Sequence, residues 1–329
     1  MSRIVRFTEY GGPEVLEIVD IDVPAPAATE ERIQVKAIGL NRAESMWRTG
    51  IYVEPVNLPG RLGYEVSGTV EAVGSDVTHV AVGDIVSTIP AFSQNDYGMY
   101  GELVLAPAHA VVKHPSSLSF QQATAIWNPF ITSYAAFVEG GRVRAGDTVL
   151  IPAATGAVGI GAIQIANMIG AIPIALTRTS AKRAQLLNAG AVHVIATEEQ
   201  DLVAEVLRIT DGKGANVAFD PVGGASFPKL ISATAAGGTV LIYGDLSKEV
   251  TPLPMLEMVA KRITIHGYNL FATTTTPALR NAAVKFISDG LANGSLKPVL
   301  AAEFDFGDIV NAHRTLEKNQ HFGRIVVNV

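Results

Sequence analysis

From Thr148 to Thr197 the chain carries no aspartate or glutamate. Inside that window a glycine turn, Ala153-Ala154-Thr155-Gly156-Ala157-Val158-Gly159, precedes a basic stretch, Arg178-Thr179-Ser180-Ala181-Lys182-Arg183. The turn suits a pyrophosphate: glycines let the backbone approach it, and a helix N-terminus offers N–H groups and a partial positive charge. The strict G-x-G-x-x-G is not met, because Ala154 takes the first glycine place. Where the ribose is unphosphorylated, an acid about 20 residues further on bonds its 2'-hydroxyl. Here the second strand, Ile172 to Thr177, runs instead into Arg178. The 2'-phosphate of NADPH is therefore the expected partner. Arginine presents a two-pronged donor to a phosphate, and Ser180 can also cap the helix that follows.

Such a turn works only between a strand and a helix. Thr148 to Pro152 is a short apolar run, and Val158 to Ile169 is a long apolar run of helical length. From Thr148 onward, strand-like runs alternate with helical patterns, as in a parallel sheet wrapped by helices. The runs are Thr148 to Pro152, Ile172 to Thr177, Val192 to Ala196, Asn216 to Asp220, Thr239 to Tyr243 and Ile263 to Tyr268, which make a doubly wound six-stranded unit. Thr197-Glu198-Glu199-Gln200 has capping-box spacing and predicts a helix start there, with Gly212 and Gly214 ending that helix. A further helix is expected over Phe227 to Ala235.

Residues 1 to 124 carry short alternating strands, such as Arg32 to Ile38 and Gly68 to Val73, broken by glycine and proline. That half reads as mostly antiparallel β. The expected division is 1–124 with 272–329 as one domain, and 125–271 as an inserted nucleotide-binding domain. The helix Pro277 to Ser288 and the strand Arg324 to Val327 are assigned to the first.

Composition bounds the function. A chain of 329 residues, 48% apolar, suits two domains with sizeable cores. A net charge of -6 argues against nucleic acid as a partner. The absence of cysteine removes disulfides, thiolate nucleophiles and thiolate metal sites together. Met1 to Tyr10 has no apolar core of signal-peptide length, so a cytoplasmic location is expected. Val158 to Leu176 is uncharged over 19 residues, but Gly170 and Pro173 punctuate it as a buried helix and then a buried strand, not a membrane span.

Several segments taken together resemble the medium-chain dehydrogenase/reductase superfamily, in its zinc-independent, quinone oxidoreductase-like branch, which includes the zeta-crystallins. They are Ala37-Ile38-Gly39-Leu40-Asn41, Arg48-Thr49-Gly50-Ile51-Tyr52, Gly63-Tyr64-Glu65-Val66-Ser67-Gly68, Val82-Gly83-Asp84, Ala145-Gly146-Asp147-Thr148-Val149-Leu150 and the glycine turn. The resemblance implies a Rossmann fold beside a GroES-like, mostly antiparallel β catalytic domain. The superfamily's alcohol dehydrogenases hold catalytic zinc with a cysteine near this region and a histidine in Gly-His-Glu. Here the segments read Asn41-Arg42-Ala43-Glu44-Ser45 and Gly63-Tyr64-Glu65. Glu65, His79, His109 and His114 have no zinc-type spacing, and no metal site is expected.

By the same resemblance, Asn41 and Thr132 hold the nicotinamide end, and Ala154, Thr155, Gly156, Ala157 and Val158 line the pyrophosphate. Arg178, Thr179, Ser180 and Arg183 clasp the 2'-phosphate. Asp220 and Gly244 lie at the carboxyl edge of the sheet. Phe271 offers its backbone to the carboxamide, and Arg324 stands near the cofactor phosphates. Asn41 could also simply cap a turn, and Asp220 could simply end a strand. Tyr52, Tyr64, Trp47, Trp127 and Asn128 are candidate acceptor-pocket residues. Tyr52 is the expected hydrogen-bond donor to the acceptor oxygen, with the proton delivered by water or by a tyrosine such as Tyr52, and Asn41 and Tyr64 stand beside it in the catalytic set.

Without zinc, the acceptor must delocalise the charge that hydride brings, as quinones and α,β-unsaturated carbonyls do. The expected activity is therefore NADPH-dependent reduction of a quinone or enone. An enoyl-thioester reductase of the same superfamily and a non-catalytic NADPH-binding protein are the alternatives. By analogy with the family, a homodimer through the Rossmann edge strand, Ile263 to Tyr268, is expected.

Overall fold

The chain begins with short strands: β1 (Ser2–Phe7), β2 (Glu17–Ile21), β3 (Glu30–Gly39), β4 (Gly60–Arg61), β5 (Glu65–Val73), β6 (Ile85–Thr88), β7 (Leu103–Pro107) and β8 (Val111–Lys113). Along β3, Glu31, Ile33, Val35 and Ala37 are buried while most residues between them are not, the period-two pattern of a strand with one face on the core. Helix α1 (Arg42–Arg48) follows β3, and α2 (Phe120–Ala123) and α3 (Trp127–Tyr134) follow β8.

From β9 (Thr148–Ile151) strands and helices alternate. They run α4 (Ala157–Ile169), β10 (Ile172–Thr177), α5 (Arg183–Asn188), β11 (His193–Ala196), α6 (Leu202–Ile209), β12 (Ala215–Asp220), α7 (Phe227–Ala233), β13 (Thr234–Ile242), α8 (Met255–Lys261), β14 (Thr264–Gly267), α9 (Leu270–Thr274) and α10 (Pro277–Ala292). The chain closes with β15 (Leu300–Asp305), α11 (Ile309–Glu317) and β16 (Arg324–Asn328).

This computed structural model describes Met1 to Val329 and divides into two compact units, Met1–Asn128 with Pro298–Val329, and Pro129–Lys297. In the first, the larger sheet runs β15-β16-β3-β5-β6-β8 with β7 also on β3, and a smaller sheet runs β2-β1-β4. All pairings there are antiparallel except β15 with β16. Gly39 ends β3 where a Cβ would lie 2.4 Å from the Thr124 carbonyl oxygen. Only glycine fits this crossing, which delivers the chain to Asn41.

The second unit holds one six-stranded parallel sheet, ordered β11-β10-β9-β12-β13-β14, so strand order reverses between β9 and β12. Ligands of open α/β sheets bind at the carboxyl ends beside such a reversal. The core beneath includes Leu150, Ile174, Ile195, Val206, Leu230 and Val240. Each such side chain contributes about 1.5–3 kcal/mol by leaving water. The six sequence-derived strands all form, with ends shifted by a few residues at most except that β13 starts early, at Thr234. No helix is long and apolar enough to cross a membrane.

Two expectations change. The cap of α6 is Asp201, whose side chain accepts from Ala204 N at 2.8 Å. Thr197 instead continues beside β10, its N–H reaching the Thr177 carbonyl at 2.8 Å, so the Thr197-x-x-Gln200 spacing starts no helix. Residues 272–297, expected with the first domain, pack within the second unit. The reason is apolar contact: Ala283 and Ile287 of α10 are buried, Phe286 packs on Tyr134, and Gly290 lies against Met168 of α4.

Candidate functional site

In the second unit the phosphate-type turn forms as the spacing requires. Gly156 caps α4 with extended backbone, no side chain supplies the cap, and Gly170 ends the helix in the left-handed region. Gly159 is pressed onto β9's exit: a Cβ there would lie 2.6 Å from Ala154 Cα. At Gly156 a Cβ would meet only the Ala153 carbonyl oxygen, at 3.5 Å. One glycine thus serves packing and the other keeps a concave backbone surface open. Ala153 adopts φ +50, a left-handed conformation that costs a non-glycine residue about 1–2 kcal/mol and tightens the turn. Ala154 is fully buried and donates to the Leu176 carbonyl at 3.3 Å, while Thr155, Ala157 and Val158 are partly exposed along the turn.

At the end of β10, Arg178, Thr179 and Ser180 are exposed. Arg178 lies near Lys182, whose pKa is lowered by burial and then by the like charge of Arg178. Two cations held together in this way fit an anionic group. Arg183 is directed elsewhere. Its Nη1 donates to the Val194 carbonyl at 2.8 Å and its Nη2 to Gln200 Oε1 at 2.9 Å, so it fastens α5 to β11. Lys182, from the same basic stretch, stands beside Arg178 instead. The Ser180 N–H donates to Glu199 Oε1 at 2.9 Å.

Asp220 ends β12 with its carboxylate accepting Val222 N at 2.9 Å and Gly223 N at 3.1 Å, which makes it the organiser of the following turn. Burial raises its pKa and those two amides oppose the rise. Gly244 packs over that turn, since a Cβ would lie 3.0 Å from the Pro221 carbonyl. Phe271 sits in the first turn of α9, its N–H donated to Asn269 Oδ1 at 2.9 Å and its carbonyl accepting from Thr275. Both backbone groups proposed for a carboxamide therefore have protein partners. Thr132 is buried in α3.

The first unit gathers a polar cluster around Asn41. Asn41 caps α1, and its backbone N–H and its Nδ2 both donate to the Glu44 carboxylate, the latter at 3.0 Å. Its Oδ1 accepts from Arg324 Nη1 at 2.5 Å. Arg324 Nη2 pairs with Glu65, whose other oxygen accepts from Asn128 N at 2.8 Å. Arg324 is only 3% exposed and belongs to this cluster, not to an exposed phosphate contact. Burial pushes the Glu44 carboxyl up to about 7 against the pull of Arg324 and Asn41. Burial likewise raises Glu65, and Arg324 opposes it.

Tyr64 is buried beside this cluster. Gly63 at φ +104 leaves room for the Tyr100 ring, where a Cβ would lie 2.3 Å from Tyr100 Cδ1, and its N–H donates to Gln94 Oε1 at 2.6 Å. Tyr52 is partly exposed and stands edge-on to Trp47, with ring centroids 5.9 Å apart. The Tyr52 and Tyr64 hydroxyls interact. Burial raises Tyr52 to about 12, and the Tyr64 contact lowers it in part. Burial and Tyr52 together push Tyr64 far above its ordinary value.

Trp47 and Trp127 are both core residues, their indole N–H groups held by Arg61 O at 2.9 Å and Ser87 Oγ at 2.7 Å. The Ser93 to Tyr100 loop is tied to the Tyr52 segment, with Ser93 Oγ on Glu54 Oε1 at 2.5 Å and Asn95 Nδ2 on the same oxygen at 3.0 Å. The histidines are scattered: His79 reaches Val111 O at 3.1 Å, His109 reaches Ala91 O at 3.0 Å and His114 reaches Pro115 O at 3.2 Å. No three His, Cys, Asp or Glu residues group as a metal would require.

Sequence reasoning passed over Glu44, Gln94 and Glu199. The Asn41-x-x-Glu44 spacing is a capping signal that could have found the first. Nothing local marks the other two, because each acts on a segment reached through the fold.

Residues 157–288 match the zinc-binding dehydrogenase family, and residues 27–116 match the alcohol dehydrogenase GroES-like domain. A quinone oxidoreductase of Pongo abelii is 32% identical, with 96% of this chain and 94% of that protein aligned. The crystal structure of a Pseudomonas syringae pv. tomato quinone oxidoreductase is similar with a TM-score of 0.92 at 30% identity, covering 100% of both chains. That of an Escherichia coli quinone oxidoreductase, complexed with NADPH, gives 0.91 at 29% identity over 99% of this chain and 100% of that one.

Proposed function

The chain belongs to the quinone oxidoreductase branch of the medium-chain dehydrogenase/reductase family, and on that premise we propose that it reduces quinones, and secondarily α,β-unsaturated carbonyls, with NADPH and without a metal ion. The observation that carries this reading is a fully buried tyrosine, Tyr64, interacting with a partly exposed one, Tyr52, beside the Asn41 cluster. Of the two, Tyr64 is buried and Tyr52 is partly exposed, so the Tyr52 hydroxyl is the one that an acceptor oxygen can reach. Burial holds Tyr52 near 12, so it stays a neutral donor at physiological pH.

NADPH supplies the hydride when bound. The turn from Ala154 to Val158 would cradle its pyrophosphate, and the open surface at Gly156 fits that group. Arg178 with Lys182 would hold the ribose 2'-phosphate, since the two cations already share one surface. Asn41 keeps its orientation through Arg324 and Glu44, and it faces the nicotinamide end on this reading.

Tyr52 stabilises negative charge on the acceptor oxygen and gives up its proton there, and Tyr64 steadies the phenol. One such donor suffices for a quinone, because hydride addition leaves a phenolate whose charge is spread over a ring. A simple ketone concentrates the charge on one oxygen and needs a Lewis acid worth several kcal/mol. Glu65, the acidic group next to Tyr64, is committed to Arg324 and to Asn128 N, which supports a metal-free reading.

Stopped-flow oxidation of NADPH against quinones, enones, simple ketones and alcohols tests the proposal. Quinones should give the highest kcat/KM. Higher efficiency with simple ketones would reject it.

A homodimer through β14 completes the reading. The strand ends the sheet, and beside it in sequence Met255, Leu256 and Val259 of α8 are 61%, 87% and 71% exposed. A strand edge with an apolar helix next to it suits a second copy of the same chain.

A further inference from the structure

The acid-free window ends at Thr197, and the next two residues are Glu198 and Glu199. Folding carries them back to the window's basic end. Thr197 N–H donates to the Thr177 carbonyl at 2.8 Å and Glu198 N–H to the Arg178 carbonyl at 2.9 Å, so the turn after β11 runs alongside the exit of β10. Glu199 Oε1 then accepts from Ser180 N at 2.9 Å. Its carboxylate is held well ionised by the Ser180 amide and hydroxyl, with Arg183 adding to the effect. A carboxylate thus occupies the amide and hydroxyl beside Arg178 that a ribose 2'-phosphate would use.

We propose that Glu199 is a specificity-determining residue, an internal anion that competes with the ribose 2'-phosphate for Ser180 and so restrains the preference for NADPH over NADH. The inference rests on the reading that Arg178 and Ser180 face that phosphate. One amide N–H serves one anion at a time. A phosphate carries about 1.5 to 2 negative charges at neutral pH, so the carboxylate must turn away or remain as a repelling neighbour. The 2'-hydroxyl of NADH carries no charge and can donate to the same carboxylate. The cost therefore falls on the phosphorylated cofactor alone. Arg183 keeps its charge near Glu199, but its two terminal N–H groups are taken by Val194 and Gln200 and offer the phosphate no two-pronged contact.

The test is equilibrium titration of the purified full-length chain with NADPH, NADH and 2',5'-ADP, followed by intrinsic fluorescence, for the parent, Glu199→Gln and Arg178→Ala. Glu199→Gln should tighten NADPH and 2',5'-ADP by about threefold to fivefold, the scale of one charge pair at a solvent-exposed site, and move NADH by less than about twofold. Unchanged or weaker NADPH binding in Glu199→Gln overturns the proposal, as does equal tightening of both cofactors. Arg178→Ala separates the two layers. Selective loss of NADPH there, with Glu199→Gln silent, leaves the phosphate site standing and removes Glu199 from it. Equal loss of NADPH and NADH in Arg178→Ala rejects the phosphate site itself, and this inference with it.

Discussion

Arg324 Nη1 lies 2.5 Å from Asn41 Oδ1, although 283 residues separate the two in the chain. The last strand, β16, pairs antiparallel with the end of β3 and so brings the guanidinium to the residue that caps α1. The same guanidinium faces Glu65 and lies near Glu44, so one cation answers two buried carboxyl groups.

Removing that cation should be costly. Arg324→Met leaves Glu65 buried without its counter-charge, and breaking a buried pair in this way costs about 3–5 kcal/mol. Urea unfolding measures it. A loss below about 1 kcal/mol would show that the cluster is not held by charge pairing.

The two glycines of the α4 turn should separate folding from cofactor binding. Gly159→Ala forces a methyl to within 2.6 Å of Ala154 Cα and should lower stability by about 1–3 kcal/mol. Gly156→Ala meets nothing closer than 3.5 Å, so it should keep the parent melting temperature while weakening NADPH. Calorimetry and fluorescence titration of the pair decide this. The reverse pattern would place the cofactor elsewhere.

Tyr52→Phe removes the proposed donor without altering the ring that packs on Trp47. Steady-state kinetics should show kcat for a quinone reduced about 10²-fold, the usual consequence of losing one donor to a developing oxyanion, with NADPH affinity nearly unchanged. A kcat within about twofold of the parent would assign proton delivery to another group.

The stability that Glu31 and Glu44 contribute should fall as pH rises from about 4.5 to 7, against the opposite contribution of the buried His313, which burial lowers to about 3. Glu44 and Glu31 are both raised by burial to about 7. Between the unfolded carboxyl value and that figure the native state keeps protons that the unfolded chain has released, so the unfolded state gains on the native one as pH climbs. Thermal melts at pH 5, 6 and 7.5 should show the parent losing stability relative to Glu31→Gln/Glu44→Gln as pH climbs. A parent profile parallel to that of the double variant over this interval would contradict the burial argument.

Leu256→Glu with Val259→Glu should give a monomer by light scattering if the β14 edge and α8 form the interface, with the fold retained by circular dichroism. A double variant that keeps the parent's dimeric mass would place the interface on another surface.

Much of the architecture was legible in the residues. Strands β9 to β14 announced themselves as short apolar runs, and Gly156 and Gly170 marked the ends of α4, because period, caps and breakers act within a few residues. The Thr197 to Gln200 spacing misled because β11's ladder with β10 extends to Thr197, and a backbone hydrogen bond made across the sheet outweighs a local capping pattern. Residues 272–297 were misassigned because α10 carries its apolar contacts toward α4 and Tyr134, partners that no local pattern names.

The sequence by itself determined that a phosphate-type turn is followed by a basic segment free of acids, and that cysteine and the Gly-His-Glu histidine are missing. These are statements of residue type and short spacing, which the covalent chain fixes. Only the tertiary structure decided which charges meet. It turned Arg183 onto Val194, paired Arg324 with Asn41 and Glu65, and returned Glu199 to Ser180. Coulomb and hydrogen-bond energies depend on distance in space and on solvent exclusion. Both are set by the strand order that brings distant segments together.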